Sequence, residues 1–245
     1  MSNSLRLSVA APLASALLAA APRAAADETV LRMATLAPEG SSWMKLFHQW
    51  QRNIEARTAG RVKVRIYAGG VQGDERDVLR KVNLGQLSGG AVTGVGLSAI
   101  DLEIRTIDAA RSYAELDTLR QKLDAILHKR FEERGYVLLG WGDVGPVHLF
   151  TNKEVKTMAD LQGLRLWLWG DDPVSKQLFK ALEIRGVPMG VPDVLPALST
   201  GAVDAFFASP LSAMALQWQG HAKYISSMVM TQATGATVLA KKVFD

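Results

Sequence analysis

Aromatic side chains in two short segments are the residues of this chain best suited to chemistry, and that chemistry is the binding of a small molecule. LRLWLW carries Trp167 and Trp169, and AVDAFF carries Phe206 and Phe207. Each segment follows a turn glycine and has the composition of a short apolar strand, so the rings fall at a strand end. Indole and phenyl faces bind an apolar ligand by excluding water from it. The layout therefore indicates one side of a ligand cleft.

Structural roles compete with ligand binding for these four residues. Trp167 and Trp169 alternate with leucines, so their side of the strand could belong to the core instead of the cleft. Phe206 and Phe207 are adjacent and must point to opposite faces of a strand. We therefore expect at most one of the two phenylalanines to face the cleft.

Further residues at predicted strand ends and on the first predicted helix complete the expected site. Trp43 could cover the cleft or staple its own loop. His148 offers a ring nitrogen, although a lone histidine is more often hydrogen-bonded within the fold. Asp143 follows a buried strand, where an aspartate often caps a turn. The expected ligand contacts are Trp43, Gln72, Trp141, Asp143, His148, Trp167, Trp169, Phe206, Phe207 and Ser209.

Sequence motifs for catalysis are absent. The chain has no G-x-S-x-G, P-loop or G-x-G-x-x-G pattern, and its histidines show no H-x-x-x-H spacing. It has no cysteine, which excludes disulfides, thiolate zinc sites and a cysteine nucleophile. Asp171 and Asp172 directly precede Pro173 and indicate a helix start rather than paired catalytic carboxylates. We predict a binding protein with no enzymatic activity, metal or cofactor.

The first 26 residues have the features of a cleaved secretion signal. Arg6 precedes an Ala/Leu-rich stretch, and small residues at 24–26 suit cleavage, so the mature chain would begin near Asp27 in the periplasm. The alternative, an uncleaved anchor, is disfavoured because the apolar run is short and interrupted. Without Arg6 and Arg23, Lys+Arg falls from 28 to 26 against 24 Asp+Glu, which leaves a formal charge of +2. The basic residues are dispersed among acids, so no nucleic-acid partner is expected.

Alternating strand and helix patterns indicate how the site is held. The first block is predicted as strand, helix, strand, helix and strand over Val30–Leu36, Ser41–Thr58, Arg61–Ala68, Asp74–Leu87 and Ala91–Val95. A long helix at Tyr113–Arg134 and a strand at Tyr136–Gly142 follow, and a second block of strands and helices begins near Val147. We predict an α/β fold of two lobes, each with a central sheet and with the cleft between them. Lobe I would comprise 27–147 with 234–245 returning to it, and lobe II 148–233.

Five segments in order resemble the solute-binding proteins of tripartite ATP-independent periplasmic (TRAP) transporters, the DctP-like family. They are LRMATLAPEGSSW, IYAGGVQGDERDVLRKVNLGQL, ERGYVLLGWGDVG, TNKEVKTMADLQGLRL and VPDVLPALSTGAVDA. The resemblance covers the chain from about Val30 to its end. It implies a two-lobed receptor that closes over a small molecule and delivers it to TRAP membrane subunits.

Three departures from the family pattern bear on the ligand. Trp167 stands where the family typically has an arginine that grips a carboxylate, and Arg165 falls on the opposite face of the strand. A second arginine position holds Val147 or His148, and a usual asparagine is replaced by Ala208 or Ser209. The chain thus resembles the arginine-lacking branch, which is associated with a tetratricopeptide-repeat periplasmic protein and with hydrophobic compounds.

These departures predict an apolar or weakly polar ligand, because a dianion would lose its hydration without compensation. A carboxylate held by non-standard contacts and a sensing role without transport are the alternatives. Family members also normally continue beyond the point where this chain ends at KKVFD. We therefore expect an incomplete C-terminus and an exposed apolar surface on lobe II.

Overall fold

The computed structural model describes residues 28–170 and 172–245, so the predicted signal segment and Asp171 lie outside the described residues. In chain order, the first elements are β1 (Thr29–Thr35), α1 (Ser42–Arg57), β2 (Val62–Tyr67), α2 (Glu75–Asn83), β3 (Gly89–Thr93), α3 (Gly94–Leu97), a 3-10 helix (Leu102–Ala109), α4 (Tyr113–Glu133) and β4 (Tyr136–Thr151). The remaining elements are α5 (Met158–Gln162), β5 (Leu166–Trp169), α6 (Pro173–Ala181), β6 (Gly186–Met189), α7 (Val191–Ser199), β7 (Ala205–Ala208), α8 (Pro210–Ala215), a 3-10 turn (Gln219–His221), β8 (Tyr224–Ile225), β9 (Thr231–Ala240) and α9 (Lys241–Phe244). These elements confirm the predicted α/β class.

The strands form two groups joined by two long crossing strands, in the order β2-β1-β3-β9-β4-β7-β5-β6, with β8 on β4. In lobe I, β1 pairs in parallel with both β2 and β3. In lobe II, β5 pairs in parallel with β6 and β7. Antiparallel β4 and β9 connect the two groups. Two parallel groups of this kind present the carboxyl ends of their strands to a shared cleft.

Local sequence signals explain most helix starts. Ser41 caps α1 by accepting a hydrogen bond from the Met44 backbone N–H at 3.3 Å. Asp172 caps α6, and Pro173 occupies its first turn. Side-chain oxygens at these positions satisfy backbone donors that the helix itself leaves unpaired. The predicted α1 and α6 therefore begin where the sequence indicated.

Two boundaries in lobe I were wrong. Helix α2 ends at Asn83 rather than near Leu87, because Gly85 adopts a φ of 75° that ends the helical path. Strand β3 starts at Gly89, two residues before the prediction. A Cβ on Gly89 would lie 2.1 Å from the Val238 carbonyl oxygen, so the strand can pair closely with β9 only because this residue is glycine.

The predicted break between two strands near Val147 was also wrong, because β4 is continuous over 16 residues. Its register with β9 shifts between Asp143 and Gly145, and Gly145 has a φ of 109°. A bulge of this kind lets a strand bend without losing its pairing. β4 pairs with β9 up to Val147 and with β7 from His148, so the strand passes from one lobe to the other.

Each lobe has its own apolar core. In lobe I, α4 and the 3-10 helix pack on the sheet through the fully buried Ile104, Leu116 and Phe131. In lobe II, Val194 and Phe206 are buried on one side of the sheet, and Leu166 and Phe179 on the other. No helix in the described residues is long and apolar enough to cross a membrane.

Candidate functional site

A cavity of about 530 Å³ lies between the lobes. The last residues of four parallel strands line it: Thr35 of β1, Thr93 of β3, Trp169 of β5 and Ala208 of β7. Residues of β9 close one side. This is the edge at which open α/β sheets collect ligands, and the cavity has the size of a small-molecule site.

Aromatic rings form one boundary of the cavity, which we call the aromatic wall: Trp43, Trp167, Trp169, Phe207 and Trp218. The Trp167 ring centroid lies 5.5 Å from that of Trp169 and 5.2 Å from that of Trp218, an edge contact. The Trp167 Nε1–H donates to the Met189 carbonyl at 3.0 Å, which leaves its ring as an apolar surface. Packing and this hydrogen bond hold Trp167 at 5% exposure, so the wall is preorganised.

Trp169 also connects the two lobes. Its Nε1–H donates to Asp74 Oδ2 at 2.7 Å, and Asp74 is the residue that caps α2 in lobe I. Burial raises the pKa of Asp74, while hydrogen bonds from Glu75 and Trp169 oppose that rise. The indole–carboxylate contact therefore links lobe II to lobe I across the cleft.

Three ionisable residues form the other boundary, which we call the charged cluster: Arg105, Asp108 and Asp172. Arg105 Nε donates to Asp108 Oδ2 at 2.5 Å, and its Nη1 donates to Asp172 Oδ1 at 2.5 Å. Arg105 and Asp108 lie on the 3-10 helix of lobe I, whereas Asp172 belongs to lobe II, so this cluster also joins the lobes. One guanidinium against two carboxylates leaves a formal charge of −1 when both acids are ionised.

Asp108 is the incompletely satisfied member of the charged cluster. Its Oδ1 is buried and has no hydrogen-bond partner among the described residues. The nearby Thr234 backbone N–H favours the charged form of Asp108. Burial raises the pKa of Asp108 to about 6 despite the nearby Arg105. A buried carboxylate oxygen without a donor is costly, so Asp108 is the member of the cluster that would gain most from an additional donor.

Glu75 lines the cavity beside α2 and is 2% exposed. It accepts hydrogen bonds from the Thr93 backbone N–H at 2.8 Å, the Thr93 hydroxyl at 2.7 Å and the Gly96 N–H at 2.8 Å. Burial nevertheless raises its pKa to about 7. Because its oxygens already have donors within lobe I, Glu75 ties α2 to the end of β3.

The structure brings five of the ten expected contact residues to the cavity: Trp43, Trp167, Trp169, Phe207 and Ser209. Ser209 is 2% exposed, and its hydroxyl caps α8 by accepting from the Ser212 N–H. Phe207 faces the cavity, whereas Phe206 is 1% exposed and stacks on Phe150 with ring centroids 4.9 Å apart. The two adjacent phenylalanines thus point in opposite directions, and Phe206 belongs to the lobe II core.

Trp141 and Asp143 lie outside the cavity lining, on the α4 side of β4. Trp141 Nε1–H donates to Asp124 at 2.8 Å, and the Arg120 guanidinium lies over its ring at 5.3 Å. Asp143 is paired with Arg120, which also contacts Thr234. Both side chains are used in holding α4 against the crossing strands.

Gln72 and His148 also lie outside the lining. The Gln72 side-chain and backbone oxygens accept from Lys81 Nζ at 3.0 and 2.8 Å. His148 Nδ1 lies 2.8 Å from the Ser226 carbonyl oxygen, on the edge where β8 joins the sheet. Neither position brings the side chain into contact with the cavity.

The sequence did not reveal that the charged cluster and Glu75 line the cavity. Asp172 was interpreted only as a helix cap, which it is, but it also pairs with Arg105. An available signal was the segment LEIRTID, where Arg105 and Asp108 are spaced three apart between apolar residues. No group of three or more potential metal ligands occurs in residues 28–170 and 172–245.

Two α/β lobes, crossing strands and an interlobe cavity at the strand ends define a two-lobed ligand-binding protein. Residues 33–243 match the family described as bacterial extracellular solute-binding protein, family 7 (DctP), and the chain belongs to that family. This confirms the resemblance to TRAP solute-binding proteins. The family consists of extracytoplasmic receptors for small solutes rather than enzymes.

Relatives and solved structures agree with this assignment. A solute-binding protein of Verminephrobacter eiseniae is 29% identical over 188 residues, which cover 74% of this chain and 55% of the relative. One from Chromohalobacter salexigens is 22% identical and matches over 65% of this chain and 49% of its own length. The chain spans about half the length of these relatives.

Two solved structures share the fold. Bordetella pertussis DctP7, a receptor binding pyroglutamic acid, has a TM-score of 0.81 at 22% identity and matches over 88% of this chain and 72% of its own. A TRAP solute-binding protein from a Sulfitobacter species, with bound β-D-galacturonate, has a TM-score of 0.82 at 21% identity, with coverages of 89% and 74%. At these identities the likeness establishes the fold.

Proposed function

We propose that this chain captures an apolar or weakly polar small molecule for a TRAP-type secondary transporter. The observation that carries the proposal is Trp167, which lines the cavity at the position where the DctP-like pattern has a carboxylate-gripping arginine. The ligand enters between the lobes, the aromatic wall excludes water, and the lobes close by bending of the crossing strands. No cofactor takes part in this capture.

The energetics of the aromatic wall support an apolar ligand. The N–H groups of Trp167 and Trp169 are already used by Met189 and Asp74, so these rings offer apolar faces to the cavity. A ligand that loses about 200 Å² of apolar surface gains about 5 kcal/mol before the costs of association. Desolvation therefore supplies most of the binding free energy in this proposal.

The proposed partners are the TRAP membrane subunits, which receive the closed form. The missing arginine also supports membership of the arginine-lacking branch and a tetratricopeptide-repeat periplasmic partner. A receptor that reports ligand to a sensor would use the same capture step. A copurification from the periplasm separates these roles, because transport predicts the membrane subunits, and the arginine-lacking branch predicts a repeat protein.

One observation favours a second candidate, a carboxylate-binding receptor. Arg105 is the only permanently charged cation among the described residues that line the cavity, and the DctP7 and Sulfitobacter structures contain acids. Against this candidate, Arg105 already pairs with Asp108 and Asp172 at 2.5 Å. A third carboxylate would bring a further negative charge to a cluster that is already negative.

Native mass spectrometry of the secreted protein tests the proposed function. An apolar or weakly polar molecule bound at one per chain, identified after extraction, is the expected result. An acidic metabolite at that stoichiometry would support the carboxylate-binding receptor and reject the apolar ligand. The same measurement is made on the Trp167→Ala variant, which is expected to copurify without the apolar molecule.

A further inference from the structure

We infer that the ligand carries a positively charged N–H donor, an ammonium or amidinium group, on its apolar body, and that Asp108 accepts a hydrogen bond from it. This inference rests on the proposed capture of an apolar ligand in the same cavity. It adds a specific recognition role for the charged cluster of Arg105, Asp108 and Asp172. The aromatic wall would hold the apolar body while Asp108 selects the charged end.

The charge of the cluster is the first reason. Arg105 is shared between Asp108 and Asp172, so one positive charge faces two negative charges at a surface that is partly withdrawn from water. Glu75, which lines the same cavity, adds further negative charge when it ionises. A ligand cation neutralises this excess, whereas a ligand anion increases it.

The hydrogen-bond inventory is the second reason. Both Asp172 oxygens accept bonds, from Arg105 and from the first turn of α6. Asp108 Oδ2 accepts from Arg105, and Asp108 Oδ1 alone within the cluster has no partner among the described residues. An ionised carboxylate can only accept, so the group that complements Oδ1 must be a donor.

The aromatic wall is the third reason, because it discriminates between ligand charges. Ring faces are negative in their quadrupole and attract cations that approach within about 6 Å. Trp167 and Trp169 line the cavity, and their N–H groups are directed to Met189 and Asp74, so ring surface rather than a free N–H borders the cavity. An anion finds no free indole donor on either residue. Wall and cluster thus favour the same sign of ligand charge.

Three probes with one apolar body test the inference by isothermal titration calorimetry at pH 8: 3-phenylpropylamine, 3-phenylpropan-1-ol and 3-phenylpropanoate. At this pH the amine is cationic, and Asp108 is ionised. We expect the amine to bind at least tenfold more tightly than the alcohol, and the carboxylate to bind most weakly. In Asp108→Asn the amine should lose at least tenfold in affinity, while the alcohol should change by less than twofold.

Asp204→Asn is the matched control. Asp204 is likewise paired with an arginine, Arg165, and its side chain is 14% exposed against 15% for Asp108, but it lies outside the cavity lining. This variant should leave the amine affinity unchanged. Thermal melts of both variants identify any loss of folding, and the wild-type ranking of the three probes tests the inference without a variant.

The outcomes separate the two proposals. Equal affinity for amine and alcohol in the wild type would overturn recognition of charge while leaving the apolar cavity intact. Tightest binding of the carboxylate would overturn both proposals and favour Arg105 as an anion contact. Absence of measurable binding by amine and alcohol alike at millimolar concentration would also contradict both.

Discussion

The two boundaries of the cavity are built on opposite principles. The aromatic wall comes mainly from lobe II, and the polar atoms of Trp167 and Trp169 are satisfied within the protein. The charged cluster is contributed by both lobes, and Asp108 Oδ1 lacks a partner among the described residues. The satisfied side can supply affinity through desolvation, while the unsatisfied side can discriminate between ligands. Substitutions that disturb one side at a time test this division.

Trp167→Ala should have the largest effect, because it removes a ring that is 5% exposed and packed against Trp169 and Trp218. We expect the free energy of unfolding to fall by about 3–5 kcal/mol. Urea denaturation followed by circular dichroism measures the loss. Trp50→Ala, on the core between α1 and β2, is the control, since it should destabilise lobe I without changing the affinity for 3-phenylpropan-1-ol. If Trp167→Ala were as stable as the wild type and bound 3-phenylpropan-1-ol equally well, Trp167 would not contribute to the ligand-binding wall.

Arg105→Met is expected to cost about 3 kcal/mol of unfolding free energy, because it leaves two buried carboxylates without their shared cation. Asp172 is fully buried and cannot turn to solvent. Adding Asp108→Asn to Arg105→Met should restore about 1 kcal/mol, which a double-mutant cycle in urea measures. Arg165→Met breaks the exposed pair with Asp204 and should cost less than about 1 kcal/mol. If Arg105→Met and Arg165→Met lowered the free energy of unfolding equally, the buried ion pairs of Arg105 would be no more important for stability than the exposed pair of Arg165.

The aromatic wall was easier to predict from sequence than the charged cluster, and the reason is physical. Alternation on β5 and the adjacency of Phe206 and Phe207 follow from strand geometry, so candidate faces were visible locally. The Arg105–Asp172 pair joins residues 67 positions apart. Its arginine lies on a 3-10 helix, where no simple apolar period reveals which side faces the cavity.

The alternation of strands and helices predicted the α/β fold. It did not predict that a single strand, β4, passes from one lobe to the other. Gly145 and Pro146 disrupt the strand pattern, so two strands were predicted where β4 is one. Pairing with β9 on one side sustains the bent strand through the bulge. The prediction that Trp141 and Asp143 lie at the cleft was wrong for a related reason. The course of β4 and its packing against α4 depend on tertiary contacts, which the local sequence does not reveal.

The charged cluster and Glu75 should make stability depend on pH. The pKa of Glu75 is raised from 4.5 to about 7, and that of Asp108 from 3.8 to about 6, chiefly by burial. Both carboxyls bind protons more tightly in the folded chain than in the unfolded chain, so folding is favoured at lower pH. We expect unfolding free energy to fall by about 4 kcal/mol as the pH rises from 5 to 8.

Other shifted groups do not reverse that trend. The lowered pKa values of Asp101 and Asp204 affect stability below pH 3.8, and the raised pKa of His48, caused by Glu39, acts in the same direction as Glu75. Urea titrations at pH 5, 6, 7 and 8 measure the slope. Glu75→Gln should flatten it, whatever its effect on absolute stability. A slope of the opposite sign would mean that Glu75 and Asp108 are ionised at little cost in the folded chain.

The smallest expected effect concerns the contact between Trp169 and Asp74, which joins the two lobes across the cleft. Trp169→Phe keeps an aromatic ring in the wall and removes only the N–H that donates to Asp74 at 2.7 Å. Loss of one such bond destabilises the closed arrangement by about 1 kcal/mol, which corresponds to about fivefold weaker binding of 3-phenylpropan-1-ol. Calorimetry measures the affinity, and small-angle scattering measures the accompanying increase in radius of gyration.

Trp141→Phe is the matched control for Trp169→Phe, because it removes an equivalent indole hydrogen bond, to Asp124 at 2.8 Å, outside the cavity lining. It should leave both the affinity and the radius of gyration unchanged. The contrast depends on location alone, since the chemical change is the same in both variants. Equal effects of the two substitutions would assign the loss to general destabilisation, and the Trp169–Asp74 contact would then be a by-product of closure rather than one of its causes.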